Sequence, residues 1–375
     1  MKIEQRIWQS GRNWRTLNGD KSIDPSIVLY FASPGTLEDG ARFAELKSAY
    51  PGAALLGCTT GGEIVDVDVH DGAVISTAIE FSHTKVKPAQ DRVAPGKSSF
   101  EIGKRLATSL PREGLRGVFV LSDGTNVNGT DLVAGIQHVL GRDVGLTGGL
   151  AGDGASFQTT RVGLDANPEA GNIAALGFYG ERIRIGSGSV GGWDAVGTER
   201  TVTRAEGNTL FDLDGEPALD LYKQYLGAEA SKLPASALLF PLRIHPPGKP
   251  EASLVRTVVG VDEARKAMIF AGSIPQGHIA QVMLGNFDNL IAGAGQAARK
   301  ASIPQAKLAI LVSCIGRKLL LGQRTADEVE AVAEVLGEEC RTTGFYSYGE
   351  IAPMEASAYA DLHNQTMTIT TFAEA

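Results

Sequence analysis

Three times along the chain an apolar run is followed by a helix-spaced stretch and a second apolar run. The first run is Ile27-Val28-Leu29-Tyr30-Phe31, followed by a loop with Pro34 and Gly35. From Thr36 to Tyr50 the residues Phe43, Leu46 and Tyr50 share one helical face, so a helix is predicted there. Ala53 to Leu56 then reads as a second strand, and the alternation from Ala73 to Phe81 as a third. A helix over 98–110 leads to the second unit. Its strand is Val118-Phe119-Val120-Leu121, its loop runs from Ser122 to Gly129, and a helix from Thr130 to Leu140 precedes the strand Val144 to Leu146. The third unit has the run Leu308 to Val312, then a helix from Thr325 to Leu336 in which Thr325 and Glu328 have capping-box spacing. A strand from Thr366 to Phe372 closes it. Between the second and third units lie strands at Ala174 to Tyr179 and Ile183 to Val190, and a helix opened by Gly215-Glu216-Pro217 that ends at Leu226. Pro241 to Pro250 reads as a loop, and the Ala- and Gly-rich pattern from Ile279 to Ala301 as one long helix.

Each unit ends in a glycine-rich turn. Gly57-Cys58-Thr59-Thr60-Gly61-Gly62-Glu63-Ile64 and Gly344-Phe345-Tyr346-Ser347-Tyr348-Gly349-Glu350-Ile351 both read G-x-x-x-x-G-E-I. A looser copy, Thr147-Gly148-Gly149-Leu150-Ala151-Gly152-Asp153, carries an aspartate instead. The step from Ile27 to Glu63 equals the step from Gly117 to Asp153. Self-similarity at fixed spacing means one supersecondary unit used repeatedly. The fold class is therefore α/β: mixed sheets built from a repeated strand–helix–strand–(Gly-rich turn)–strand unit, in two domains. Polarity rises and periodicity lapses from Gly227 to Pro234, which divides the chain into 27–226 and 235–372.

Composition narrows the function. A net charge of −8 without a basic run disfavours nucleic acid and anionic membrane as partners. The N-terminus has no secretory pattern, and no apolar stretch is long enough to span a bilayer. Cys58, Cys314 and Cys340 are odd in number and widely spaced, which fits a reducing cytoplasm rather than a disulfide framework. The 46 glycines fit an architecture rich in tight turns.

The turns resemble phosphate cradles, but no nucleotide signature accompanies them and the recurring acid would repel phosphate. An acid at such a turn suits an ammonium group, which points to an amino acid or similar small metabolite. The residues placed at this ligand site are Thr59, Thr60, Glu63, Asn128, Asp153, Tyr346 and Glu350, with the amides of Gly61 or Gly149 for a carboxylate. The competing role for each acid is to bond its own turn amides. The loops Ser122-Asp123-Gly124 and Asn126-Val127-Asn128-Gly129 sit where α/β sheets usually contact ligands. Cys58 lacks an adjacent base and reads as a packing residue, so no catalytic residue is assigned and no enzyme is expected. The alternative is a hydrolase or transferase using Cys58. No metal-ligand spacing occurs among the six histidines, although a single imidazole can hold a haem iron.

In combination these segments resemble the FIST family of prokaryotic sensory proteins. The matching motifs are Leu56 to Ile64, Gly148 to Asp153, Asp214-Gly215-Glu216-Pro217-Ala218, Gly344 to Pro353 and His363-Asn364-Gln365-Thr366. The resemblance runs from about Ile27 to Phe372 and makes the two domains FIST N-terminal-like and FIST C-terminal-like. It implies a small-ligand sensor that signals to a separate partner. A variant of the theme is a haem-binding nitric-oxide sensor acting on a histidine kinase, for which His278 and then His363 are the candidate iron ligands. No kinase or receiver segment accompanies the motifs, which implies a stand-alone input module.

Overall fold

The protein is described by a computed structural model over residues 1–20, 22–94, 96–354 and 359–375. The mixed α/β reading and the repeat are both present. Each unit lays down a lead strand (Ile27–Ala32, Leu115–Ser122, Leu308–Cys314) and then helix. A return strand follows, parallel to the lead strand (Ala54–Thr59, Gly145–Leu150, Arg341–Ser347). After the glycine turn comes a short exchange strand (Glu63–Val65, Val162–Leu164, Gly349–Pro353). A closing strand antiparallel to the lead strand completes the unit (Ala73–Glu80, Asn172–Tyr179, Met367–Glu374).

The exchange strands do not join their own sheets. The first unit's pairs with the third unit's return strand, the third's with the second's, and the second's with the first's. Three six-stranded sheets result, each containing the order flanking strand, closing, lead, return, exchange. The flanking strands are Lys2–Gln9, Lys85–Arg92 and Ile183–Val190. Strand periodicity sends Ile27, Leu29 and Phe31, Phe119 and Leu121, and Leu308, Ile310 and Val312 into one shared core. Phe31 and Phe345 stack there at 4.7 Å between ring centroids. Alternate residues face the helices: Val28 and Tyr30 meet Leu46, while Val118, Val120 and Leu311 join Leu132, Ile136 and Val329. Each such fully buried aliphatic or aromatic side chain contributes about 1.5–3 kcal/mol by leaving water.

Gly57, Gly148 and Gly344 hold matching places on the return strands, opposite Tyr30, Val120 and Leu311. A Cβ on Gly148 or Gly344 would lie 1.9 Å from the lead-strand carbonyl of Val120 or Leu311. Only glycine permits that approach.

A second body is inserted between the third unit's flanking strand and the helix Phe287–Ala301 that precedes its lead strand. The chain leaves through Gly191-Gly192, builds a nine-stranded sheet with the helix Ala218–Leu226, and returns at Asn286. Val202, Leu219, Tyr222, Met268 and Phe270 belong to its separate core. The segment 227–234, read from polarity as a domain boundary, folds inside this body, where Leu226, Ala230 and Leu233 join the same core.

Several local readings change. The pattern from Ile279 to Ala301 is a strand, Ile279–Gly285, followed by a helix, Phe287–Ala301. Asn286 stops one and starts the other, its side chain accepting from the N–H groups of Asp288 and Asn289. The first helix begins at Ala41 rather than Thr36, whose hydroxyl donates to the Ser33 carbonyl in a preceding 3₁₀ turn. Thr325 is already helical, and its hydroxyl donates backwards to the Gly322 carbonyl, so no capping box forms. Glu328 is buried instead, receiving the Arg317 guanidinium and the hydroxyls of Ser313 and Tyr346. The hairpin Lys2–Gln9 with Arg12–Gly19, unread in the sequence, extends the first sheet.

Candidate functional site

The three glycine turns meet in a ring. The Gly61 N–H donates to the Tyr346 carbonyl at 2.7 Å, Gly152 to Thr59 at 3.0 Å and Tyr348 to Leu150 at 3.2 Å. These bonds occupy the same register in each unit: the residue four past the marker glycine donates to the residue two past it in a neighbouring turn. The Gly61 amide, expected to hold a carboxylate, is spent in this ring.

Glu63 and Glu350 are equivalent. Glu63 stands opposite Phe345 on a return strand, and Glu350 opposite Gly149 on the next. Each accepts from the hydroxyl three residues earlier, Thr60 at 2.5 Å and Ser347 at 2.7 Å. Each also accepts the N–H where its own unit's closing strand begins, Ala73 at 3.2 Å and Thr366 at 3.1 Å. Both are fully buried. Burial pushes Glu63 up to about 7 and Glu350 up to about 8, against the hydroxyl and amide bonds that favour the charged forms.

Asp153 departs from the pattern. Val162 occupies the register position of the two glutamates, opposite Cys58. Asp153 lies nine residues earlier and ties a wider turn, accepting from the N–H groups of Phe157, Gln158 and Thr159 and from the Tyr348 hydroxyl. One extra loop in the second unit therefore separates the acid from the exchange strand. Its neighbour Asp123 accepts from the amides of Thr125, Asn126 and Gly171.

The remaining expected ligand residues also have internal partners. Thr59 Oγ1 accepts from the Arg161 N–H, Asn128 caps the helix Gly129–Leu140 by accepting from Asp131 N–H, and Tyr346 donates to Glu328. The turns bring Thr59, Thr60, Glu63, Asp153, Tyr346 and Glu350 together at one end of the sheets, with Asn128 one loop away. Cys58 lies in the shared core, fully buried, its thiol pushed well up by burial.

The open space lies beside this ring. A cavity of about 260 Å³ sits between the turns and the inserted body. Gly124, Thr125 and Val127 approach from the loop after the second lead strand, with Leu150, Cys314 and Tyr348 from strand ends and turn. Asn208, Leu238, Thr257, Val259 and Phe270 close it from the inserted body. Phe157 stacks on Tyr348 at 4.5 Å along its wall. The polar loop flagged in the sequence thus reaches the cavity, whereas none of the seven expected residues lines it. Thr257, Asn208 and Phe157 carry no motif and were not legible. A wider groove of about 460 Å³ lies at the opposite strand ends, by Asp24, Pro25 and Ala53. Ligands of α/β sheets bind beyond the carboxyl ends, which favours the smaller cavity.

A haem would need an imidazole facing an apolar slot. His278 precedes a strand rather than entering a helix, next to His245 and Arg256, and burial lowers its pKa. His363 Nε2 lies 3.1 Å from the Ala352 carbonyl and borders a cavity walled by Ser187, Ser189, Glu251 and Ser253 as well as by Val190, Leu254, Val255, Pro353 and Met354. His278 thus lacks the helix entry expected of it, while His363 has one ring nitrogen beside a carbonyl and faces a wall of mixed polarity. Among the described residues no cluster of His, Cys, Asp or Glu could hold a metal ion, and no helix is long and apolar enough to cross a membrane.

An uncharacterised protein of Methanocaldococcus jannaschii is 24% identical over 304 residues, covering 74% of this chain and 57% of its own length. The chain thus spans little more than half of that relative. Among solved structures, a chorismatase aligns at a TM-score of 0.35 with 10% identity, over 100% of this chain and 98% of its own. A cyanuric acid hydrolase from A. caulinodans aligns at 0.34 with 9% identity, over 94% and 90%. Residues 26–216 match the FIST N domain and 218–353 the FIST C domain, so the chain belongs to the FIST family of sensory signal-transduction modules.

Proposed function

We propose that this chain senses a small molecule in the cavity between the turn ring and the inserted body, and passes the signal to a separate protein. The carrying observation is that both bodies wall one cavity at the carboxyl ends of the lead and return strands. A ligand there touches two bodies joined by only two chain crossings, at Gly191-Gly192 and at Asn286. Binding would therefore bias how the inserted body seats on the ring, which is the differential contact a signal requires. The output partner, by this reading, is a histidine kinase or similar protein that recognises the seated arrangement. Three free, buried cysteines suit a reducing compartment such as the cytoplasm.

An amino acid is less well served than the sequence suggests. Glu63, Asp153 and Glu350 spend their oxygens inside the turns, leaving no open carboxylate for an ammonium group. Catalysis through Cys58 has little support for a related reason: its thiol sits in the shared core.

The test uses Val259, which is 39% exposed where it lines the cavity. A metabolite library is screened by melting temperature, since a ligand of the native state raises stability in proportion to RT ln(1 + [L]/Kd). A hit should stabilise the native chain and lose that effect in Val259→Trp, which fills the cavity. A hit that stabilises both equally would place the ligand elsewhere and refute this reading.

A further inference from the structure

Near the inserted body's side of the cavity, three buried polar atoms have no partner among the described residues. Thr257 lines the cavity, is 4% exposed, and its hydroxyl bonds nothing. Its N–H reaches Asn364 Oδ1 at 3.4 Å, which leaves Asn364 Nδ2 without an acceptor. Gln365 donates to the carbonyl of the lining residue Leu238 at 3.1 Å, which leaves Gln365 Oε1 without a donor. Both amide orientations are fixed by those bonds, so the orphaned atoms are a donor on Asn364 and an acceptor on Gln365. Native proteins rarely leave buried polar groups unsatisfied, and an unexplained cluster is a reason to look for a ligand. Asn364 and Gln365 also belong to the His363-to-Thr366 segment, whose polarity the turns alone do not explain.

The cavity is otherwise uncharged. Among the described residues, no Asp, Glu, Lys or Arg lines it. The adjacent Arg256 is committed to the carbonyls of Ser273 and Leu362 and to Asp361. Asp123 and Asp153, behind Thr125 and Tyr348, have their oxygens filled by turn amides and hydroxyls. A charged ligand would lose its hydration and meet no counter-charge, a heavy penalty in a buried site.

We infer, resting on the cavity assigned above, that it selects an uncharged ligand bearing a hydrogen-bond donor beside an acceptor on a compact apolar body, with Thr257 as the direct polar contact. Amides and lactams have this chemistry. The carbonyl and N–H of such a group match the Thr257 hydroxyl, which can both donate and accept. The apolar body meets Val127, Leu150, Phe270 and Ile315. Such a ligand satisfies the hydroxyl that folding alone leaves unpaired.

The test compares isobutyramide and δ-valerolactam with isobutyrate and valine, of similar size but charged, at millimolar concentration by melting temperature and ligand-observed NMR. The two uncharged probes should bind more tightly than the charged ones. Thr257→Val should weaken them about tenfold, equivalent to ~1.4 kcal/mol, while Thr257→Ser retains them. Unliganded Thr257→Val should melt no lower than the native chain, since the hydroxyl it removes has no partner, and a large drop would assign Thr257 a purely structural role and overturn the inference. Tighter binding of isobutyrate or valine, unchanged binding in Thr257→Val, or no response to any of the four probes would also overturn it. If a different metabolite still binds and loses its effect in Val259→Trp, the cavity stands and only the ligand class falls. If Val259→Trp changes nothing for any binding compound, both fall.

Discussion

Replacing Glu350 by glutamine should remove a pH dependence of stability that the fold builds into its turns. The carboxyl is fully buried, and burial raises it from 4.5 to about 8. Such a group favours the neutral form in the folded state. Its favourable contribution is complete below about pH 4.5 and is lost as pH rises toward 8. A shift of this size corresponds to about 5 kcal/mol in total, near 1.4 kcal/mol per pH unit across the window. Glutamine fits the same place. Its carbonyl can accept from the Thr366 N–H and hydroxyl, and its NH₂ can donate to the Ser347 oxygen that now donates to Glu350. Urea unfolding of both proteins, measured at intervals from about pH 5 to 9, isolates the effect. The variant should gain on the native chain steadily as pH rises, and the gap should level off above about pH 8. A pH-independent gap, or one that widens toward acid, would refute the reasoning, because the latter requires a carboxylate held charged.

Glu63→Gln should show the same behaviour with an earlier plateau, near pH 7, by the same unfolding series. Gly148→Ala should cost about 3 kcal/mol or more, because its Cβ meets the Val120 carbonyl and its φ of 143° disfavours a side chain; soluble yield and urea midpoint report it. Arg317→Met should cost about 3–5 kcal/mol in chemical denaturation, since it strands buried Glu328 without its cation. Asn128→Ala should lower stability by about 1 kcal/mol through loss of a helix cap, without altering the response to a cavity ligand in a thermal-shift titration.

The lead strands, the helices and the glycine turns were legible because each is marked by local pattern. Ile27 to Phe31 and Leu308 to Val312 are apolar on both faces, as strands covered on both sides must be. The equivalence of Glu63 and Glu350 could be read from spacing alone, since both lie six residues past a glycine at the same register of its return strand. The same spacing misled for Asp153, where an unrecognised wide turn displaced the exchange strand to Val162. Asn286 was overlooked because apolar residues before and after it merge into one helical period, although its cap divides strand from helix.

Sequence by itself determined that the chain repeats one α/β unit three times, where the marker glycines fall, and which family motifs it carries. Tertiary structure alone decided that each exchange strand crosses to another unit's sheet, and that the region from Trp193 to Gly285 packs around a core of its own. It also decided that the turn acids face inward while Thr257, Asn364 and Gln365 keep open valences. The physical reason is range. Helix period and glycine geometry are fixed by neighbours within a few residues, but a strand edge and a cavity wall take their partners from chain more than a hundred residues away. Thr257 meets Asn364 and Gly61 meets Tyr346 only after the sheets have closed into a ring.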